Sequence, residues 1–274
     1  MNDALLTAIA TVLLVIVGLA QIVVLIAQKR QTRIALTAQY RQLWINCKKH
    51  WGNIIFIARE KGEYYQVLDE TAINKLIEKT KLHRLDTPTT WALDSIQNLS
   101  GLLGEVSTRV LQGHLKISDV YPIFGTEFLR HSRPLRQLLE PEYKNPFFKE
   151  DLEGLHKLIK NEIQDWLIYH DGLRRRCLIL IDLLWAEAAR LEDLPPDDMR
   201  SAADAKKTTG SLNRNRVFQE VTRLNGLTNF LLAFKLTMFL RRAEYHKFFN
   251  PIGIKKRRLS KLEKTWTKRL LRNS

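Results

Sequence analysis

An uncharged apolar stretch near the N-terminus constrains this chain most. Residues 4–27 contain no charged side chain, and a helix of that length, rising about 1.5 Å per residue, crosses the apolar core of a bilayer. Basic residues follow from Lys29 onwards, whereas Asp3 is the single charge before the stretch. This order of charges predicts a single-pass anchor over 1–28 in the inner (cell) membrane, with the N-terminus outside and the bulk of the chain cytoplasmic.

A cleavable signal peptide is the main alternative for this stretch. Such peptides carry positive charge before a shorter apolar region, and here that order is reversed, which favours an uncleaved anchor. Thr7 with Thr11, like Ala4 with Ala8, has the spacing of small residues that lets two spans approach each other. A homo-oligomer formed through the span is therefore one open prediction.

The last residues hold much of the positive charge. The part of the chain after residue 28 carries a formal charge of +16, of which +8 lies in residues 255–272. Apolar and cationic positions there alternate with helical spacing, which predicts a helix lying on the anionic lipid headgroups of the bilayer. The residues predicted to contact the membrane surface are Lys255, Lys256, Arg257, Arg258, Leu259, Leu262, Trp266, Lys268, Arg269 and Leu270. Nucleic-acid binding through this basic tail is the less favoured alternative, and a solvated tail is the third.

The rest of the chain shows helical periodicity, which predicts an all-α fold with a single N-terminal transmembrane helix and a cytoplasmic bundle of about six helices. Tyr40, Trp44, Cys47 and Trp51 recur at steps of three and four and form one apolar face. We expect this face to pack against other helices. It is also the candidate interaction face toward a second copy or an unknown protein partner.

Breaks in the periodicity predict the domain organisation. Residues 29–192 form the helical cytoplasmic domain, with a weak point at Gly172. Residues 193–214 lack apolar periodicity and contain prolines and a glycine, which predicts a flexible loop or linker. The remaining predicted units are a long apolar helix packed on the bundle at 215–250 and the basic amphipathic tail at 251–274.

Few residues suggest chemistry. His170-Asp171 matches the histidine-aspartate pair of metal-dependent phosphohydrolases, so a phosphohydrolase or nuclease using these two residues is the alternative enzymatic hypothesis. No other catalytic residue, metal ligand or cofactor is predicted. Arg174–Arg176 could instead form a phosphate-binding patch with Lys206, Lys207, Arg214 and Arg216. Cys47 and Cys177 imply no disulfide framework.

The segment from Ser100 to Glu140 includes a helix that ends at Gly113, followed by Asp119, Tyr121 and Gly125 at the start of the next. With the N-terminal span and the basic helix containing Trp44, it resembles a group of bacterial single-span membrane proteins of unknown function. The resemblance covers residues 1–140, and it implies an architecture without catalytic residues. It favours a non-enzymatic scaffold, accessory or effector protein at the inner membrane surface.

Overall fold

The computed structural model describes residues 2–58, 69–81, 90–140, 155–170, 172–249 and 251–272. Within those ranges every element is helical apart from one isolated bridge between Tyr245 and Ile254, which confirms the all-α class. The helices are α1 (Asn2–Ala58), α2 (Glu70–Lys81), α3 (Thr90–Leu111), α4 (Ile117–Arg130), α5 (Ser132–Leu139), α6 (Leu155–Tyr169), α7 (Leu173–Leu191), α8 (Pro196–Asn225), α9 (Phe230–Leu240) and α10 (Lys256–Arg272). Short 3-10 turns, Gly226–Asn229 and Arg241–Ala243, lie on either side of α9.

The first helix, α1, is one uninterrupted helix of 57 residues with two different halves. Between Thr7 and Thr32, every described residue except Gly18 is exposed. This half is long and apolar enough to cross a membrane, with a mean hydropathy of 3.0 in its most apolar stretch. The second half, from Tyr40 to Ile57, buries one face and then nearly its whole circumference in the bundle.

The second half of α1 sets the register of the bundle. The Tyr40 hydroxyl donates a hydrogen bond to Glu105 Oε1 at 2.9 Å, and Asn53 Nδ2 donates to Ser95 Oγ at 2.8 Å. Helix α3 therefore runs antiparallel to α1, and later residues of α3 lie closer to the apolar half of α1. Leu111, six residues past Glu105, is level with residue 34 of α1.

Helix α7 runs antiparallel to α3 and so parallel to α1. Cys177 Sγ donates to the Ser100 carbonyl at 3.4 Å. One turn away, a Cβ on Gly104 would lie 2.5 Å from Leu173 Cδ1, so the absence of a side chain lets the two helices approach closely. These contacts direct the end of α7 at Leu191 toward the C-terminal end of α1.

Helix α8 occupies the segment that the sequence predicted to be a flexible linker, so the prediction for 193–214 was wrong. Pro196 stands at the first helical position, where its missing N–H costs nothing. The buried positions then recur mostly at steps of three and four. Several of them are polar or lack a side chain, so a search for apolar residues at helical spacing did not detect this helix. The buried positions are Met199, Ala203, Lys206, Gly210, Asn213, Val217, Glu220 and Val221.

The predicted long apolar helix at 215–250 was also wrong, because α8 stops at Asn225. Gly226 adopts a φ of 66°, a left-handed conformation that glycine takes without steric cost. A 3-10 turn then reverses the chain into the short helix α9, and α9 packs antiparallel on α8 with the Phe230 ring against Phe218, 5.8 Å between centroids. The break predicted at Gly172 is present between α6 and α7, with a φ of 73°.

These registers define two ends of the bundle. The near end contains Leu111, Gly113 and Asn225, whose side-chain amide donates to the Leu111 carbonyl at 2.9 Å. The far end contains Leu191 and Met199. Measured along α1 from Ala27 at about 1.5 Å per residue, the near end is level with residue 34, about 10 Å away. The far end lies about 30–40 Å away, because the pKa of Tyr121 is raised by burial and by the nearby Asp193, and Tyr121 is two residues past Asp119, the partner of Arg33.

Candidate interaction surfaces at the two ends of the bundle

The predicted interaction face of α1 is buried inside the chain. Tyr40, Trp44, Cys47 and Trp51 all belong to the hydrophobic core. The Trp44 ring packs against Phe124 with centroids 4.9 Å apart. The chain's own helices thus occupy this face, which corrects its assignment as a surface for a second copy or an unknown partner.

The apolar stripe of the basic tail docks on the far end of the bundle. Leu259 is 2% exposed, and Leu262 packs partly buried against the same core. Ion pairs join the docked half of α10 to the neighbouring helices, Arg258 with Glu192 and Glu263 with Arg200. The prediction that this apolar stripe inserts into lipid is therefore wrong for Leu259 and Leu262. The side chains of Lys268, Arg269 and Leu270 lie outside the described part of the chain.

Docking of the stripe leaves the cations of the tail pointing outward. Lys255, Lys256, Arg257 and Lys261 are exposed. Lys256 and Lys207 both place Nζ near the ring of Tyr245, 5.1 and 5.4 Å from its centroid. The far end of the bundle thus presents a basic surface that includes an aromatic ring.

Two exposed phenylalanines lie in the loop between Tyr245 and α10. Phe248 is 92% exposed and Phe249 is 94% exposed, and their rings meet edge to face at 5.3 Å. The base of their loop is tied by two backbone hydrogen bonds, from the His246 N–H to the Ile254 carbonyl at 3.0 Å and from the Ile254 N–H to the Glu244 carbonyl at 2.8 Å. We call Lys207, Tyr245, Phe248, Phe249 and the exposed cations from Lys255 to Lys264 the basic-aromatic surface.

The near end has an exposed apolar face of its own. Helix α9 buries Ala233, Leu236 and Leu240 against the bundle. Its outer face leaves Leu231 82% exposed and Phe230 and Phe234 more than half exposed. The residues Phe230, Leu231 and Phe234 are called the α9 outer face below.

A buried ionic network holds α5, α7 and α8 together between the two ends. Asp182, 1% exposed, accepts hydrogen bonds from Arg136 Nη1 at 2.8 Å and from Lys206 Nζ at 2.9 Å. Burial alone would raise the pKa of Asp182, but the charges of Arg136 and Lys206 outweigh it and hold that pKa well below its usual range. Arg136 and Arg216 also share Glu140. The charges nearly balance, which is typical of a structural network.

The predicted phosphate-binding patch is dispersed among such pairs. The buried carboxylate of Glu220 meets Arg175, Arg176 and Arg223. Arg214 pairs with Glu244 and Lys207 with Asp204. Arg175, Arg176 and Arg214 therefore join different elements, whereas Lys207 and Arg223 pair within α8, and these cations do not converge on a common ligand.

The enzymatic alternative gains no geometric support from His170. Its exposed ring stacks on Trp166 at 3.7 Å between centroids, and its Nδ1 lies 2.8 Å from the Trp166 carbonyl. Asp171 lies outside the described residues. Over the described part of the chain, no group of three or more His, Cys, Asp or Glu residues could hold a metal ion.

Sequence reasoning missed Phe248, Phe249 and the α9 outer face, because it assigned all of them to one long buried helix. The glycine at 226 and the Asn250-Pro251 dipeptide are turn signals that could have separated them from that helix. No protein-family model, curated protein or solved structure matches the chain.

Proposed function

We propose that this chain is a non-enzymatic, membrane-anchored adaptor that holds single-stranded nucleic acid in the cytoplasm, at a distance from its own bilayer. The apolar half of α1 is the anchor. The basic residues that follow it support an orientation with the N-terminus outside and the bundle inside the cell. The basic-aromatic surface is the binding site for the nucleic acid.

The observation that carries this proposal is the position of α10. Its docked half lies at the far end of the bundle, about 30–40 Å along α1 from the end of the apolar stretch. A helix tilted by as much as about 40° still keeps that end more than about 20 Å above the apolar core. Since salt screens charges over about 8 Å at physiological ionic strength, these cations do not act on the membrane that anchors them.

The undescribed side chains at the end of α10 do not change this conclusion. Glu263 pairs with Arg200 at the start of α8, which fixes that part of α10 at the far end. Nine residues separate Glu263 from Arg272, and a helix of that length covers about 14 Å. Even a segment pointing straight at the bilayer would end short of its apolar core.

The aromatic side chains favour single-stranded nucleic acid among polyanionic partners. Proteins that bind single strands combine a cationic track with aromatic rings on which bases stack, worth about 1–3 kcal/mol per base. Phe248 and Phe249 follow Tyr245 by three and four residues and are nearly fully exposed, and the ring of Tyr245 itself lies against Lys256 of α10. An acidic protein segment would use the cations but has no base to place on these rings.

The test uses the full chain in nanodiscs of neutral lipid, with fluorescein-labelled oligo-dT as the probe. Replacing Phe248→Ala together with Phe249→Ala should weaken binding about tenfold or more, because stacking on each ring is worth about 1–3 kcal/mol. Phe230→Ala with Phe234→Ala is the matched control, since it removes two exposed rings at the opposite end. This control should bind like the parent.

Two results would contradict the proposal. If the Phe248 and Phe249 variant binds oligo-dT as tightly as the parent, the rings do not stack on bases. If polyglutamate of equal charge competes as well as unlabelled oligo-dT, the surface recognises acidic protein. Binding that falls steeply with salt, at a slope of about 0.7 per neutralised phosphate, is expected for a single strand.

A further inference from the structure

The α9 outer face lies at the end of the bundle closest to the apolar half of α1. Asn225, at the end of α8, donates its side-chain amide to the Leu111 carbonyl. A Cβ on Gly113 would lie 3.3 Å from Leu232 Cδ2, so the first turn of α9 sits beside the loop that follows α3. Both contacts lie at the near end.

A third contact fixes the height of this end independently. Arg33 Nε lies 2.9 Å from Asp119 Oδ2 at the start of α4, directly after the same loop. Arg33 is six residues past Ala27, or about 9 Å along the axis of α1. The register through α3 and the ion pair to α4 therefore agree that the near end lies about 10 Å from the end of the apolar stretch.

This height lies about 3–5 Å beyond the lipid headgroup layer, a gap that a phenylalanine or leucine side chain can span. The polar regions of a bilayer add roughly 5–7 Å on each side of its apolar core. Phe230 and Leu231, in the first turn of α9, extend outward from the near end, and Lys29 and Arg30 lie on α1 between that end and the apolar stretch. Bulky apolar side chains with basic neighbours are the composition of a segment that rests in the membrane interface.

We propose that the first turn of α9 rests in the headgroup layer of the membrane that anchors α1, as a second contact with the bilayer. This inference rests on the proposed anchoring. With two contacts, the bundle cannot rotate freely about α1, and the basic-aromatic surface is held at a fixed height. The lipid contact thus comes from α9, and the basic tail stays free for its partner.

The test places the fluorophore NBD on single cysteines of the full chain in lipid vesicles. The native thiols give little background, because burial raises the pKa of Cys47 to about 11 and that of Cys177 to about 12. A label at Leu231→Cys should be quenched at least twofold by a lipid carrying a nitroxide on its headgroup. The matched control is Leu212→Cys, an exposed leucine of α8 farther from the near end, whose label should change little.

A label at Val15→Cys separates failure of this inference from failure of the anchor. Val15 lies in the middle of the apolar stretch and should be quenched by a nitroxide deep in the acyl chains. If the label at 15 is quenched and the label at 231 behaves like that at 212, the contact by α9 is wrong and the anchor stands. If the label at 15 is not quenched, the anchor itself is wrong and both proposals fall.

Discussion

Helices α9 and α10 lie at opposite ends of one bundle, and each has a strongly apolar face. In α10, where eight of seventeen residues are Lys or Arg, Leu259 is almost completely buried. In α9, which is almost wholly apolar, Leu231 is 82% exposed. The helix with fewer apolar side chains thus hides them better. Tertiary neighbours decide which face is free, because Leu259 of α10 joins the core that contains Met199, whereas the outer face of α9 has no described neighbour that covers it.

The two ends of the molecule therefore present different surfaces, one cationic and one apolar. Docking of α10 directs its cations outward at the far end, and the bare face of α9 lies at the near end. Helix α8 connects the two, with α10 near its start and α9 after its end. Substitutions at different points should weaken this arrangement to different degrees, and most of all at the contact between α8 and α7.

Loss of the buried carboxylate at Asp182 should have the largest effect. Asp182→Asn leaves the buried Lys206 without this counter-charge and removes one of the two carboxylates that Arg136 contacts, and breaking a buried pair in this way costs about 3–5 kcal/mol. Urea unfolding of the detergent-solubilised chain, followed by tryptophan fluorescence, measures the loss. Asp197→Asn is the control, because that side chain is 88% exposed and its pair with Arg200 should contribute little. Equal stability of the two variants would contradict the structural role of the network.

The same network predicts sensitivity to acid. The pKa of Asp182 is lower in the folded chain than its unfolded value of about 3.9, so its stabilising contribution is complete above that pH and declines as pH falls below it. The parent should lose stability between pH 4 and lower values more steeply than Asp182→Asn, at about 2.3RT per pH unit for each proton taken up. Parallel unfolding curves for the two proteins would argue against this.

Undocking α10 should come next. Leu259→Asp places a charge in an apolar groove and removes a buried leucine, a loss of the order of 2–5 kcal/mol for the side chain alone. Helix α10 should then detach without unfolding the bundle, and limited trypsin digestion should remove the tail at least tenfold faster. Ser260→Asp adds the same charge at the neighbouring exposed position and should leave the rate of cleavage close to that of the parent. Slow cleavage of the Leu259 variant would mean that α10 is held by other contacts.

The ion pair between α1 and α4 should matter least. Arg33 and Asp119 are both about one-quarter exposed, and such pairs are worth about 0–1 kcal/mol. Arg33→Ala should therefore lower the stability of the bundle by less than about 1 kcal/mol. It should nevertheless increase the mobility of a spin label at Leu231, because the near end loses one of its fixed points on α1. A label that becomes no more mobile would show that the pair does not hold this end.

The sequence predicted those elements whose buried faces are apolar. The helix that the sequence predicted to end at Gly113 ends at Leu111 in the structure, and the break at Gly172 follows from a left-handed residue that the sequence marks as glycine. The part of α8 up to residue 214 escaped prediction because its buried stripe includes Lys206, whose partner Asp182 lies 24 positions away in sequence. No local pattern indicates that a lysine will be buried against a particular aspartate.

The candidate surfaces were predicted less well for the same reason. The sequence marks the cations of the tail, but their distance along α1 from the apolar stretch depends on a register carried through α1, α3 and α7. Tyr40 with Glu105 and Cys177 with Ser100 set that register, and each pair joins residues more than sixty positions apart. Amphipathic spacing alone could not distinguish a helix that rests on lipid from one that rests on protein.

The most direct test of the account compares the heights of the two ends above one bilayer. Single spin labels are placed at Leu231→Cys and at Ser260→Cys in the full chain, reconstituted in vesicles that contain a nickel-chelating lipid. The nickel relaxes labels near the membrane surface and leaves distant ones unaffected. We predict strong relaxation at 231 and much weaker relaxation at 260, because the two ends differ by about 20–30 Å along α1. Relaxation at 260 as strong as at 231 would place the basic tail on the membrane and contradict the account.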